Sequence, residues 1–342
     1  MKRDSSHVWS ILVFAALALP ACGGDDYSDD PHDPNAYVQT FDGLPGALIG
    51  VSGTSEEDVW AVGGNPGDGS GAFVLHFDGQ WTRKLTGHQV DLWWVHAFAG
   101  GPVFFGGSGG TILRYQNQSF EKLPTPGSAT VFGIWGATPD QLWAVGGDPA
   151  KSGTAFVWRF DGSTWSAAQG FPSVPVAAWF KVWGRAADDV RFVGMDGAIV
   201  HFDGKGFEQI ASPTDRRLLT LFAEPGGRYT AVGGMSQAVI LEDVGGTWKD
   251  VSPAPPTHAM IGIRTAGDDG YAAGTGGSVM RRKDGVWVDE PLGFDVFADF
   301  HSVWIDPKGG VWLGGGSIAS FPLVNGVLVH KGAKIPGGSY AD

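Results

Sequence analysis

The sequence is poor in several residue types, and each shortage removes a class of function. There is 1 cysteine in 342 residues. A single thiol builds neither a disulfide framework nor a cysteine-rich zinc site. Tyrosine is scarce too, 6 against 21 Phe and 15 Trp. Charged residues make up 17%, below the roughly 25% of an average soluble domain. Basic residues are the scarcer sign: 23 Lys and Arg face 36 Asp and Glu, a net charge of −13. An acidic chain of this kind offers no basic stripe to a phosphate backbone, so no nucleic-acid partner is expected. His-Glu-x-x-His, an EF-type calcium loop and the Gly-Lys-Ser/Thr phosphate loop are all missing. No metal and no cofactor are expected.

Glycine is abundant, at 55 residues with 21 Pro, while 43% of the chain is apolar. Frequent turns combined with a large buriable surface suggest many short strands. The N-terminus reads as an address. Lys2 and Arg3 precede Val8–Leu19, an apolar run of 12 residues broken only by Ser10. That length fits a signal-peptide core and is too short to span a bilayer. The run ends in Leu19-Pro20-Ala21-Cys22, with the sole cysteine where an acylated lipoprotein cysteine would stand. Residues 1–21 are therefore expected to be a lipoprotein signal peptide, with Cys22 as the lipidation site and a membrane as one partner. Residues 22–35, acidic and broken by Pro31 and Pro34, are expected to form a solvated tether.

Residues 36–330 carry one unit seven times. Asp-Val-Trp-Ala-Val-Gly-Gly (58–64) returns as Gln-Leu-Trp-Ala-Val-Gly-Gly (141–147) and, more weakly, five further times. The shared glycine reads as Gly63, Gly106, Gly146, Gly194, Gly233, Gly274 and Gly314. A pitch of about 42 residues matches four-stranded propeller blades. Ten or eleven residues earlier lie Ser52, Val95, Trp135, Trp183, Phe222, Arg264 and Trp304. Later come strands that end in Asp-Gly, then Trp81, Phe120, Trp165, Phe207, Trp248 and Trp287, with Leu328 in the last copy. Runs that are apolar on both faces suit strands sandwiched between neighbouring blades. One unit cannot bury both faces, whereas seven closed into a ring can. The fold expected is an all-β, seven-bladed β-propeller of four-stranded antiparallel blades, followed by a C-terminal tail at 331–342. The spacing of Tyr37 from Ser52 matches that of Phe120 from Trp135. Residues 37–41 are thus expected to close the ring as the outermost strand of the blade built by Phe300 to Leu323. Val327 to His330, after Asn325-Gly326, is the competitor for that slot.

The combination Trp-Gly, Asp-Val-Trp-Ala-Val-Gly and His-Phe-Asp-Gly with a following Trp resembles bacterial, myxobacterial-type secreted propeller lipoproteins with sialidase or Asp-box-like repeats. Asp161-Gly162-Ser163-Thr164-Trp165 is most similar to the ending of that box, with Arg159 where its opening Ser would stand. The resemblance implies a propeller in which the box is a hairpin element without catalytic duty.

Sites of chemistry are few. His76 and His201 share a column with Arg114 and Arg159, which marks a polar strand position. Gly-Gly-Ser-Gly-Gly (106–110) lacks the strand-to-helix elbow that would make Ser108 a nucleophile. Loops between second and third strands read as long at Gly64–Gly71 and Gly147–Gly153. Connections between blades read as long at Gln169–Ala178, Ser212–Leu218 and Asp289–Asp299. These loops share one face of the ring, and propellers bind through such loops. The candidate binding rim is Asp68, His88, Asp91, Lys151, Arg216, Arg217 and His258. The function expected is a monomeric, non-enzymatic envelope module, more at the outer than the inner membrane, for a protein or glycan partner. The alternative is a glycan-directed hydrolase or lyase with its site over the central channel.

Overall fold

A computed structural model describes residues 33–254, 258–319, 321–334 and 336–341. The expectations for residues 1–21, for Cys22 and for most of the tether lie outside the described residues. The compact unit runs over Asp33–Asp342. It is a seven-bladed β-propeller of antiparallel four-stranded sheets. Within the described residues the only helical segments are three short 3₁₀ turns, Ser108–Gly110, Met195–Gly197 and Thr275–Gly277.

Blade 3 is typical: Thr130–Thr138 is innermost, followed outward by Gln141–Asp148, Lys151–Phe160 and Trp165–Ala167. Each innermost strand bulges at its second or third residue. Ile49, Trp93, Phe132, Phe180, Leu219, Ile261 and His301 are the residues skipped in the pairing. Just before each bulge the partner is a glycine: Gly63, Gly107, Gly146, Gly194, Gly233, Gly274 and Gly315. The repeated glycine in blades 2 and 7 is thus Gly107 and Gly315, not Gly106 and Gly314. Close approach explains the residue type. A Cβ on any of the seven would lie no more than 2.7 Å from the carbonyl oxygen preceding its partner, and only glycine tolerates that. The corrected register also moves the inner column of blade 2 from Val95 to His96, which pairs with Phe104.

The core is divided among the blade interfaces. Each of seven apolar clusters draws its buried residues from two neighbouring blades. Twelve of the 15 tryptophans are buried there or beside them. The adjacent Trp93 and Trp94 differ because Trp93 is the bulged residue and Trp94 is paired. The Trp94 indole donates to the Ile134 carbonyl of the next blade at 2.7 Å, and that of Trp93 to Ser108 Oγ at 3.0 Å.

The ring closes through both termini. Val324–Lys331 is the third strand of blade 7, and Tyr37–Leu44 pairs antiparallel with it as the fourth. Val327–His330 therefore does not compete for the outer slot; it forms the strand on which the N-terminal strand lies. Leu328 pairs with Gly314, so the aromatic column of blade 7 is filled by Tyr37, opposite Lys331. Asn325, at φ 57°, sits at the irregular start of the third strand and not in a hairpin turn. Farther along, Tyr340–Ala341 pairs in parallel with Trp81–Arg83 and gives blade 1 a fifth strand.

Candidate functional site

In blades 1, 3, 6 and 7 the repeated motif is a clasp inside the blade. In blade 1 the Trp60 indole donates to Asp58 Oδ1 at 3.1 Å, and the same oxygen lies 2.8 Å from His76 Nε2. His76 stacks on Trp60 with ring centroids 3.9 Å apart. Elsewhere the same column places Arg159 over Trp143, Arg281 over Tyr271 and His330 against Trp312. The polar strand position is thus a cation or imidazole laid on the aromatic ring of the adjacent strand, worth about 0.5–1 kcal/mol where exposed. The Asp-box-like hairpin is structural as well. Asp161 Oδ1 accepts from the backbone N–H groups of Ser163 and Thr164 at 2.9 and 2.8 Å. Those bonds hold its carboxyl below the usual range, and Gly162 supplies the φ of +91°.

The candidate rim residues share one face, because loops between second and third strands and connections between blades lie on the same side of a propeller. They do not converge. Asp68 accepts from Arg83 at 2.7 Å and from the Ser70 N–H at 2.9 Å. Asp91 accepts from the Asn65 N–H at 2.8 Å, and the His88 carbonyl from the Ala72 N–H at 3.2 Å. These three stitch the 64–73 loop of blade 1 to the next connection. Lys151 opens the third strand of blade 3, so Gly147–Gly153 is a tight, extended hairpin and not a long loop. Arg217 donates to the Gly234 carbonyl, Arg216 reaches Gln237, and His258 Nδ1 lies 2.9 Å from the Thr275 carbonyl. Arg216 borders a concavity of about 870 Å³ between blades 4 and 5. It is an open groove between loops and contains no buried charge.

Residue-by-residue reading missed the apolar tips on this same face. Phe297, Phe321 and Met235 are 97%, 78% and 73% exposed, and Leu85 and Ile318 are exposed too. They occupy loops of blade 5, the connection from blade 6 to 7, blade 7, and the connection leaving blade 1. In ring order these tips run from blade 5 to the exit of blade 1, with Arg216 and Arg217 just before Met235 and His258 between Met235 and Phe297. Their sequence signal is an apolar residue isolated within a loop that no strand period explains.

The opposite face opens into the central channel. A cavity of about 650 Å³ is lined there by Ser52, His96, Trp183, Phe222, Arg264 and Trp304, one from each innermost strand except that of blade 3. Two carboxylates stand at its margin. Glu224 accepts from the Gly267 N–H at 2.6 Å, and Asp306 from the N–H groups of Lys308 and Gly310 and from the Trp312 indole. Both are committed to fixing turns.

No protein-family model matches the chain, and no curated protein matches it. Solved structures do. YCF48 bound to a D1 peptide superposes with a TM-score of 0.63 at 15% identity, covering 88% of this chain and 97% of that one. YCF48 from Cyanidioschyzon merolae gives 0.63 at 14%, covering 86% and 98%. The WD40 β-propeller domain of Doa1 gives 0.61 at 14%, covering 86% and 97%. At such identities the likeness is one of fold, and it places the chain among the β-propellers.

Proposed function

We propose that this chain is an exported, lipid-anchored envelope protein whose propeller is a non-enzymatic interaction module for a protein or glycan partner. The observation that carries the reading is the arc of apolar loop tips at Met235, Phe297, Ile318, Phe321 and Leu85. Exposed apolar groups gathered on one face and bordered by polar residues mark interaction surfaces. Arg216 and Arg217 before the arc, and His258 within it, would add directional polar contacts. A neighbour of the same fold has been solved with a peptide bound, which supports a protein as the partner. Anchoring rests on the Leu-Pro-Ala-Cys ending at Cys22 and on its likeness to myxobacterial-type propeller lipoproteins; an outer-membrane address follows from the same likeness.

The test is recovery of partners from intact envelope with wild type and with Phe297→Asp/Phe321→Asp. Both side chains are exposed, so the variant should melt within about 2 °C of wild type while losing at least tenfold of the specifically retained partner. Equal retention by the variant would move the interaction elsewhere.

A further inference from the structure

Five Lys and Arg side chains are buried among the described residues: Lys181, Arg191, Arg264, Arg282 and Lys331. Three face a carboxylate. Arg191 lies 2.9 Å from Asp189, Arg282 2.7 Å from Glu242, and Lys331 2.9 Å from Glu290. The other two, Lys181 and Arg264, have no carboxylate within salt-bridge distance among the described residues, and both stand on innermost strands around the channel. A buried cation without a counter-charge is costly, by several kcal/mol in general.

The environment of Arg264 is specific. Its guanidinium carbon lies 4.4 Å from the Trp183 ring centroid and 4.3 Å from that of Phe222. The two aromatic rings hold the group in place, and among the described residues no acceptor meets its N–H donors. Burial pulls its pKa down to about 9, so it remains charged at neutral pH. One layer deeper, Lys181 Nζ donates to the Phe132 carbonyl at 3.0 Å and sits 3.5 Å over the Trp94 ring. Burial, reinforced by the like charge of Arg264, pulls the Lys181 ammonium well below its usual pKa. His96 borders the same cavity, 5.8 Å from the Trp183 ring, with Nε2 3.3 Å from the Gly136 carbonyl.

We propose that the channel mouth on this face is a binding site for a carboxylate, taken by the Arg264 fork. A planar guanidinium held by aromatic rings keeps its edge donors free, and two parallel N–H···O bonds to a carboxylate match that edge. Trp183, Phe222 and Trp304 would pack against the carbon skeleton of the ligand. The site is distinct from the loop-rich face and does not depend on what docks there. Its carboxylate comes either from a free organic acid or from the C-terminal carboxylate of a polypeptide.

The experiment uses the full chain at constant ionic strength and reads tryptophan fluorescence and melting temperature. Probes are succinate and benzoate for free acids, a short peptide ending in a free carboxylate, and the same peptide amidated. Chloride and sulfate serve as non-carboxylate anions. Saturable quenching and a rise in melting temperature with carboxylates are expected, at least tenfold weaker in Arg264→Gln. Response to succinate or benzoate identifies a free acid; response to the peptide alone, lost on amidation, identifies a polypeptide end. In the absence of ligand, Arg264→Gln should melt no lower than wild type, since it removes an unpaired buried charge. Should that variant fail to fold, Arg264→Lys keeps the charge without the fork and should also bind at least tenfold more weakly. Absence of saturable binding by wild type, an equal response to chloride and sulfate, or undiminished binding by either variant overturns the proposal.

Discussion

Replacing Phe41 by alanine tests how the ring is closed. Phe41 is buried in the outer strand that the N-terminus adds to blade 7. Its ring meets Trp81 of blade 1 edge-on at 5.7 Å and Tyr340 of the C-terminal segment at 6.0 Å. One side chain thus joins three segments that are distant in sequence. A buried Phe-to-Ala change costs about 3–5 kcal/mol through lost transfer energy and the cavity left behind. In a domain of this size 1 kcal/mol is worth roughly 2 °C, so the melting temperature should fall by roughly 6–10 °C. Closure and a simple cavity are separated by a double-mutant cycle with Tyr340→Ala. The aromatic pair should show a coupling of about 0.5–1.5 kcal/mol. Deleting residues 36–43 should be worse, because it bares the edge of Val324–Lys331, and unpaired edges invite aggregation. Scanning calorimetry and light scattering read both effects. A shift under about 2 °C for Phe41→Ala, or an unchanged melt for the deletion, would refute closure by the N-terminal strand.

Three further outcomes are expected. Gly194→Ala should lose about 1–3 kcal/mol, because its Cβ would meet the Ala178 carbonyl at 2.6 Å, while Gly206→Ala, with nothing within 4 Å, should be neutral in urea unfolding. Burial, reinforced by the nearby Arg264 charge against a favourable Gly136 carbonyl, pulls the pKa of His96 down to about 4. The unfolded chain then takes up a proton that the fold refuses, so stability should decline as pH falls from about 6.5 to about 4, by about 3 kcal/mol over the window. His96→Gln should flatten that slope in pH-dependent melts, and an unaltered slope would contradict the assignment. Cys22→Ser should release the protein from the membrane fraction and abolish its labelling by a palmitate analogue; membrane retention of the variant would contradict lipid anchoring.

Much of the fold is legible in the sequence because its seven-fold glycine has a single physical cause, the carbonyl that a Cβ would strike. Errors arise where that signal is degenerate. Gly106-Gly107 and Gly314-Gly315-Gly316 each offer alternative glycines, and the bulge in every innermost strand hides which one faces the partner carbonyl. Asn325-Gly326 has the chemistry of a hairpin turn, and here it serves a strand irregularity, which is why Leu328 was misplaced in the aromatic column. The channel mouth is less legible. Arg264 shows in the sequence as a lone cation in a column of aromatic residues, but its lack of a counter-charge is a property of seven strands brought together. The apolar tips are single residues in unlike loops, and only the topology gathers them on one face.

The central claim, that the loop-rich face is the working surface of an interaction module, is tested most directly by site-specific photocrosslinking in native cells. A benzoylphenylalanine at position 297, on that face, is compared with one at position 286, at an exposed turn of the opposite face. A discrete adduct at 297, absent at 286, is the expected result. No adduct at 297, or the same adducts at both positions, would contradict it.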